Sequence, residues 1–330
     1  MMLSKTILLN RIGYEPFFDF VKFYAITCVL IGHVIPASML NDIGYGLWAG
    51  MQVPLFVLIQ AFHGLKKEHI SFNIKKMMLR IVVPFVFVEI LLFSYMALMG
   101  NYGISSLFYL FLKNGGMGPG SYFPWIYLQL AFIIPVISPY IRKPFAIWYV
   151  LLICEGFEIL FSLLDFSESI YRLLCVRYFM LLYLGWRWVK EGIVVNYRTL
   201  TFAFISLFTV IYFEYFSVDD EPYFFTTRWK FHRWPCYYYV AVGGGILLYN
   251  AYKLMAKMEW LFRVMKLLAK CSYEIFLMQM VIIPIFPKFH FVSDYHLRFG
   301  MRVSLIFAIS IIGGILYNRY YNILISRIRK

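Results

Sequence analysis

Apolar residues along this chain come in runs far longer than one face of a soluble helix requires. Ten stretches, at about 17–39, 45–64, 78–99, 122–140, 145–164, 171–189, 199–217, 235–253, 268–287 and 298–319, each approach the length that crosses a hydrocarbon core, which is roughly 20 apolar residues. Polar residues gather between these runs. The pattern predicts an all-α, polytopic integral membrane protein with about ten transmembrane helices, built as a single domain over 1–330. No internal repeat, low-complexity tract or soluble domain interrupts it. The longest connections are about 100–121 and about 218–234. The first contains Asn114-Gly-Gly-Met-Gly-Pro-Gly120 and reads as a turn-rich loop. The first apolar run starts near Phe17, carries Asp19 and Lys22 and lacks a small-residue cleavage site, so it is expected to be a retained span.

Composition strengthens this picture. Of the 330 residues 62% are hydrophobic and 15% charged, with a mean hydropathy of +0.71. A water-soluble domain cannot hide that much apolar surface. The net charge of +14 would suit nucleic acid in a soluble chain, but no basic soluble region exists to carry it. It resolves instead into topology. With the N-terminus in the cytoplasm, the inner segments hold 21 Lys and Arg and the outer segments 8. That asymmetry predicts both termini on the cytoplasmic side. The five cysteines (Cys28, Cys154, Cys175, Cys236 and Cys271) form no CxxC and read as small core residues. No histidine has metal-ligand spacing, so no metal is expected.

Charged and titratable groups at membrane depth are costly and face protein or a wet cavity. Here they are Asp19, Lys22, His33, Glu89, Glu155, Glu158, Arg177, Glu214 and Glu274. Lys22 and His33 lie eleven residues apart. On a helix that spacing is about three turns, which puts both on one face and separates them by about 16 Å. Asp19, three residues before Lys22, is placed to pair with it. One helix thus offers a cation near the cytoplasmic mouth and an imidazole deeper in.

These residues, with several later segments, resemble the membrane acyltransferase family known as acyltransferase 3. Its first span carries a basic residue, ten others and then His, matched here by Lys22 and His33. Val53-Pro-Leu-Phe56, the basic entry Lys75-Lys76-Met77-Met78-Leu79-Arg80, Phe123-Pro-Trp125-Ile-Tyr-Leu128 and Ser272-Tyr-Glu274-Ile-Phe-Leu277 resemble its later motifs in order. The similarity covers about 10–321. Three positions depart from the pattern. The paired arginines of the third span appear as Met77 and Arg80, beside Lys76; the His that ends the late motif is Gln279; and the SGF stretch after the second span is Gln60-Ala-Phe62.

The resemblance implies transfer of an acyl group, usually acetyl, from cytoplasmic acyl-CoA to a hydroxyl of a carbohydrate or lipid-linked glycan, in a bacterial inner membrane. Lys22, Lys76 and Arg80 are candidates for the phosphates of acyl-CoA. His33 is the candidate base or acyl acceptor, because imidazole titrates near neutrality. Glu274 is assigned a supporting catalytic role, and Asp19, Trp125 and Trp229 are candidate substrate contacts. Trp229 belongs to the outer segment Tyr223–Trp234, where aromatics alternate with cations; such a segment stacks on sugars or anchors in the interface. Two other readings compete. A transporter or glycan flippase would show repeated, broken helices. A relative using another donor, such as succinyl-CoA, would still need His33.

Overall fold

The structure, a computed structural model, describes residues 5–7, 14–36, 39–40, 44–48, 51–66, 74–100, 103–164, 166, 168–212, 234–287 and 294–328. Among them the fold is a helical bundle. The strands are a single antiparallel pair, β1 (Lys5–Ile7) and β2 (Ile193–Val195).

Five helices among the described residues are long and apolar enough to cross a membrane. These are α1 (Tyr14–Val34), α3 (Met78–Leu98), α5 (Tyr122–Ile141), α6 (Ala146–Leu163) and α12 (Tyr295–Ile328). A sixth arises if α10 (Glu259–Lys270) and α11 (Ser272–Ile285), bent by 69° at Cys271, form one broken span. The other four expected runs appear as shorter helices: α2 (Gln52–Lys66), α7 (Phe179–Glu191), α8 (Tyr197–Ile211) and α9 (Gly245–Met255). Local breaks explain much of the shortening. Extended Leu174 and a 3-10 turn at Cys175–Tyr178 precede α7. A π-helical segment, Tyr239–Gly244, precedes α9. The run expected at 199–217 passes out of the described residues after 212.

Two further differences stand out. The connection at 100–121 is not all turn: it holds α4 (Ile104–Asn114), which buries Leu107 and stops at Gly115 in the left-handed region, φ 75°. Ile104-Ser-Ser-Leu-Phe-Tyr-Leu-Phe has the apolar spacing of a short helix, which the neighbouring glycines obscure. The span expected at 268–287 is cut at Cys271, and the amphipathic helix before it carries Arg263, Lys266 and Lys270.

Outward faces are apolar. Leu98 is 86% exposed, Leu152 72% and Phe208 67%. In water each such side chain would forfeit about 1.5–3 kcal/mol of burial; against lipid that penalty vanishes. Inward faces pack closely. A side chain at Gly185 of α7 would meet the Ala61 methyl of α2 at 2.6 Å and the Phe62 backbone nitrogen at 3.2 Å, so small residues let these helices touch. One core cluster joins the first half of α1 to α2 and α7 through Phe17, Phe18, Val21, Leu58, Phe62 and Leu181. A second joins the later half of α1 to α3 and α11 through Val29, Leu30, Val88, Leu92, Ile275 and Met280. This second cluster holds the site. All five cysteines are buried thiols.

Candidate functional site

The site forms where α1, α3 and α11 run side by side. On each helix a charged residue comes first and a second polar or ionisable residue follows further along. On α1 these are Lys22 and His33, on α3 Arg80 and Glu89, and on α11 Glu274 and Gln279. The helical rise separates the members of each pair by about 16, 13 and 8 Å respectively.

At the charged end Lys22 Nζ lies 3.4 Å from Asp19 Oδ1, the expected pair. Both side chains remain partly exposed, at 31% and 20%. Arg80 is exposed and lies on the π-helical turn Met78–Val82. Pro84 has no N–H, so in this wide turn the Leu79 carbonyl lacks its backbone donor. The Tyr321 hydroxyl of α12 donates to that carbonyl instead, and Tyr273 Oη donates to the Ile81 carbonyl at 2.8 Å. Two tyrosines thus hold open the turn that presents Arg80. The Arg80 charge is close enough to act on Glu274 and on Tyr127. The Asn318 side chain of α12 lies beside the Glu274 carboxyl. The intramembrane cation Arg177 lies over the Tyr171 ring at 5.6 Å.

At the deep end His33 Nδ1 meets the Gln279 side chain, with Gln279 Nε2 at 2.9 Å and Oε1 at 3.3 Å. Gln279 is fully buried. The loop at 115–120 approaches the imidazole through Gly120. At Gly120 (φ 82°) a Cβ would stand 2.9 Å from Phe276 and 3.1 Å from His33 Cε1. Phe276 in turn packs edge-on against Phe123 at 5.9 Å. At Gly116 (φ 150°) a Cβ would collide with Glu89 Oε1 at 2.4 Å and Ser121 Cβ at 2.5 Å. Only glycine allows this approach of backbone to side chain.

Three side chains fasten the loop. Glu89 Oε2 accepts the Met117 N–H at 2.7 Å, Trp125 Nε1 donates to the Gly115 carbonyl at 2.6 Å, and Ser121 Oγ donates to the Asn114 carbonyl at 3.2 Å. Glu89 is buried, and its Oε1 has no hydrogen-bond partner among the described residues. Trp125, a candidate substrate contact, thus ties down the loop with its ring nitrogen while 39% of the residue stays exposed.

The sequence-predicted site residues are therefore brought onto neighbouring helices, with exceptions. Lys76 lies on the short helix Ile74–Met77, and its side chain is outside the described residues. Trp229 and the rest of the segment between 213 and 233 also lie outside them. Gln279, Gly116 and Gly120 were not anticipated, and Glu89 was noted only as a charge at depth. The departure from the late motif at Gln279 was the signal that marked it. No group of three or more metal-ligating side chains occurs among the described residues.

A family model described as an acyltransferase domain, acyltransferase 3, matches residues 15–319. No curated protein and no solved structure matches the chain.

Proposed function

Since the chain belongs to the acyltransferase 3 family, and so is a multi-pass membrane acyltransferase, we propose that it moves acetyl from cytoplasmic acetyl-CoA to a hydroxyl of a surface carbohydrate. The acceptor would be O-antigen, capsule or exopolysaccharide, and the membrane the bacterial inner membrane. In this reading about ten spans place both termini in the cytoplasm, as the excess of Lys and Arg in alternate connections suggests.

The observation that carries the proposal is the alignment along α1. A half-buried cation, Lys22, and an imidazole further along, His33, share one face about 16 Å apart, with Arg80 on a neighbouring helix. Acyl-CoA is polyanionic at one end and reactive at the other. Lys22, Arg80 and Lys76 hold the phosphates, and the thioester arm extends inward toward His33. Asp19 fixes the Lys22 ammonium. Glu274, beside Asn318 and within reach of the Arg80 charge, orients that cation. The loop at 115–120 keeps water from the deep end, and the exposed face of Trp125 contacts substrate. Trp229 provides an aromatic surface for the sugar.

The reaction is balanced by one imidazole. His33 takes the proton of the acceptor hydroxyl as its oxygen attacks the thioester carbonyl. The C–S bond breaks, and the CoA thiolate receives that proton. The test is O-acetyl content of surface glycans, by mass spectrometry, in wild type, a deletion strain and the deletion carrying His33→Ala. Loss on deletion without rescue by the variant, at equal membrane abundance, supports the proposal. Full rescue by His33→Ala overturns it.

A further inference from the structure

Gln279 is the one side chain seen to hydrogen-bond the His33 ring among the described residues. It comes from a helix 246 positions away in sequence and is fully buried. A ring with a single fixed partner has its tautomer set by that partner. The nearer amide atom to Nδ1 is Nε2, at 2.9 Å, with Oε1 at 3.3 Å, and the two ends interchange by rotation of the terminal torsion.

The two orientations have different chemical consequences. If the amide nitrogen donates, Nδ1 is the acceptor, the ring proton sits on Nε2, and Nε2 has no lone pair to offer. If the amide oxygen accepts, the proton sits on Nδ1 and Nε2 is free. Only the second orientation survives when the ring takes up a proton, because both ring nitrogens then carry hydrogen and Nδ1 needs an acceptor. The ring's surroundings point the same way. Gln279 occupies the Nδ1 side and Gly120 approaches Cε1, so Nε2 is the nitrogen left for substrate.

We infer that Gln279 is a positioning residue: its side-chain oxygen holds the proton on His33 Nδ1 and so makes Nε2 the working base. A neutral amide does this without placing a second charge beside the imidazole, where an unneeded carboxylate would have to be desolvated. Glu89 is the charged side chain that reaches the loop beside the ring, and it is engaged by Met117 N–H. The inference rests on the acyl-transfer reading for its purpose, but its first test does not involve activity.

The full-length protein is labelled with ¹⁵N-histidine in lipid nanodiscs. His33 is assigned among the six histidines by difference from His33→Ala, and its ring-nitrogen shifts report the tautomer. Wild type is expected to show the Nδ1–H form. Gln279→Met, which keeps length and apolar packing but removes the acceptor, is expected to populate Nε2–H. Gln279→Glu, which restores an acceptor, is expected to return Nδ1–H. In acetyl transfer, Gln279→Met should lower kcat by about 10- to 100-fold with little change in KM for acetyl-CoA, and Gln279→Glu should recover part of it. An Nε2–H ring in wild type, or an unchanged Nδ1–H ring in Gln279→Met, overturns the inference. If the tautomer shifts as expected but wild type transfers no acyl group, the Gln279 assignment stands and the acyl-transfer reading falls.

Discussion

Two buried polar clusters sit within these apolar helices, and they are built differently. One comprises Glu158 of α6, Tyr171 and Arg177. Tyr171 Oη donates to Glu158 Oε1 at 3.0 Å, and the Arg177 guanidinium lies over the Tyr171 ring. All three are buried, and Tyr171 meets the carboxylate with its hydroxyl and the cation with its ring. The other comprises His33, Gln279, Glu89 and the glycine loop. It has no Lys or Arg at its centre, and two left-handed glycines bring backbone against the titratable groups. The first cluster ties segments together. The second keeps reactive atoms available and shaped. Burial of a charge at membrane depth thus has two explanations, and the neighbours distinguish them.

Perturbing the two clusters should separate turnover from stability. The largest effect is expected from Gly116→Ala, which puts a methyl into contact with Glu89 Oε1 and Ser121 at a φ of 150°. Strain and overpacking of about 1–3 kcal/mol each should distort the loop and lower acetyl transfer by about 100-fold. Single-turnover kinetics on folded, monodisperse protein measures this. Next comes Lys22→Ala, which removes one of the proposed phosphate contacts. A charge-assisted hydrogen bond of about 1.5–3 kcal/mol corresponds to a rise in KM for acetyl-CoA of about tenfold or more, with kcat little changed.

Glu89→Gln is milder. The amide oxygen still accepts the Met117 N–H, so transfer should fall only severalfold, on the order of 1 kcal/mol. Glu89→Leu leaves that N–H without an acceptor and should be worse, which a side-by-side assay shows. The smallest effect on turnover is expected from Tyr171→Phe. It should destabilise the protein by about 1 kcal/mol, read as a lower Tm in detergent, with kcat per folded molecule unchanged. A loss of kcat there as large as that of Gly116→Ala would abolish the distinction between the clusters.

Features local to one helix were legible in the sequence. Periodicity alone placed Lys22, His33 and Asp19 on α1, and the Asp19–Lys22 contact follows from a three-residue spacing. Hydropathy marked where helices would form, although continuous apolar runs do not show where they break. Neither the bend at Cys271 nor the 3-10 turn before α7 contains a Pro or Gly. Contacts between distant helices were not legible. Nothing near His33 announces Gln279, and nothing near Glu89 announces Met117, because periodicity carries no information about which helix lies alongside. In the sequence the glycines at 116 and 120 signal only turns; their closeness to Glu89 and His33 emerges only once α1, α3, α5 and α11 converge.

Because Lys22 and His33 belong to one uninterrupted helix, α1 acts as a rigid gauge whose length is set by residue count. Adding a single residue between them would swing His33 about 100° around the axis, away from Gln279. Adding seven would return it to nearly the same bearing while moving it about 10 Å further from the ammonium. In the proposed reading, donor reach is therefore written into the register of one helix, and a lineage adopting a longer or shorter donor would have to change that register in whole turns.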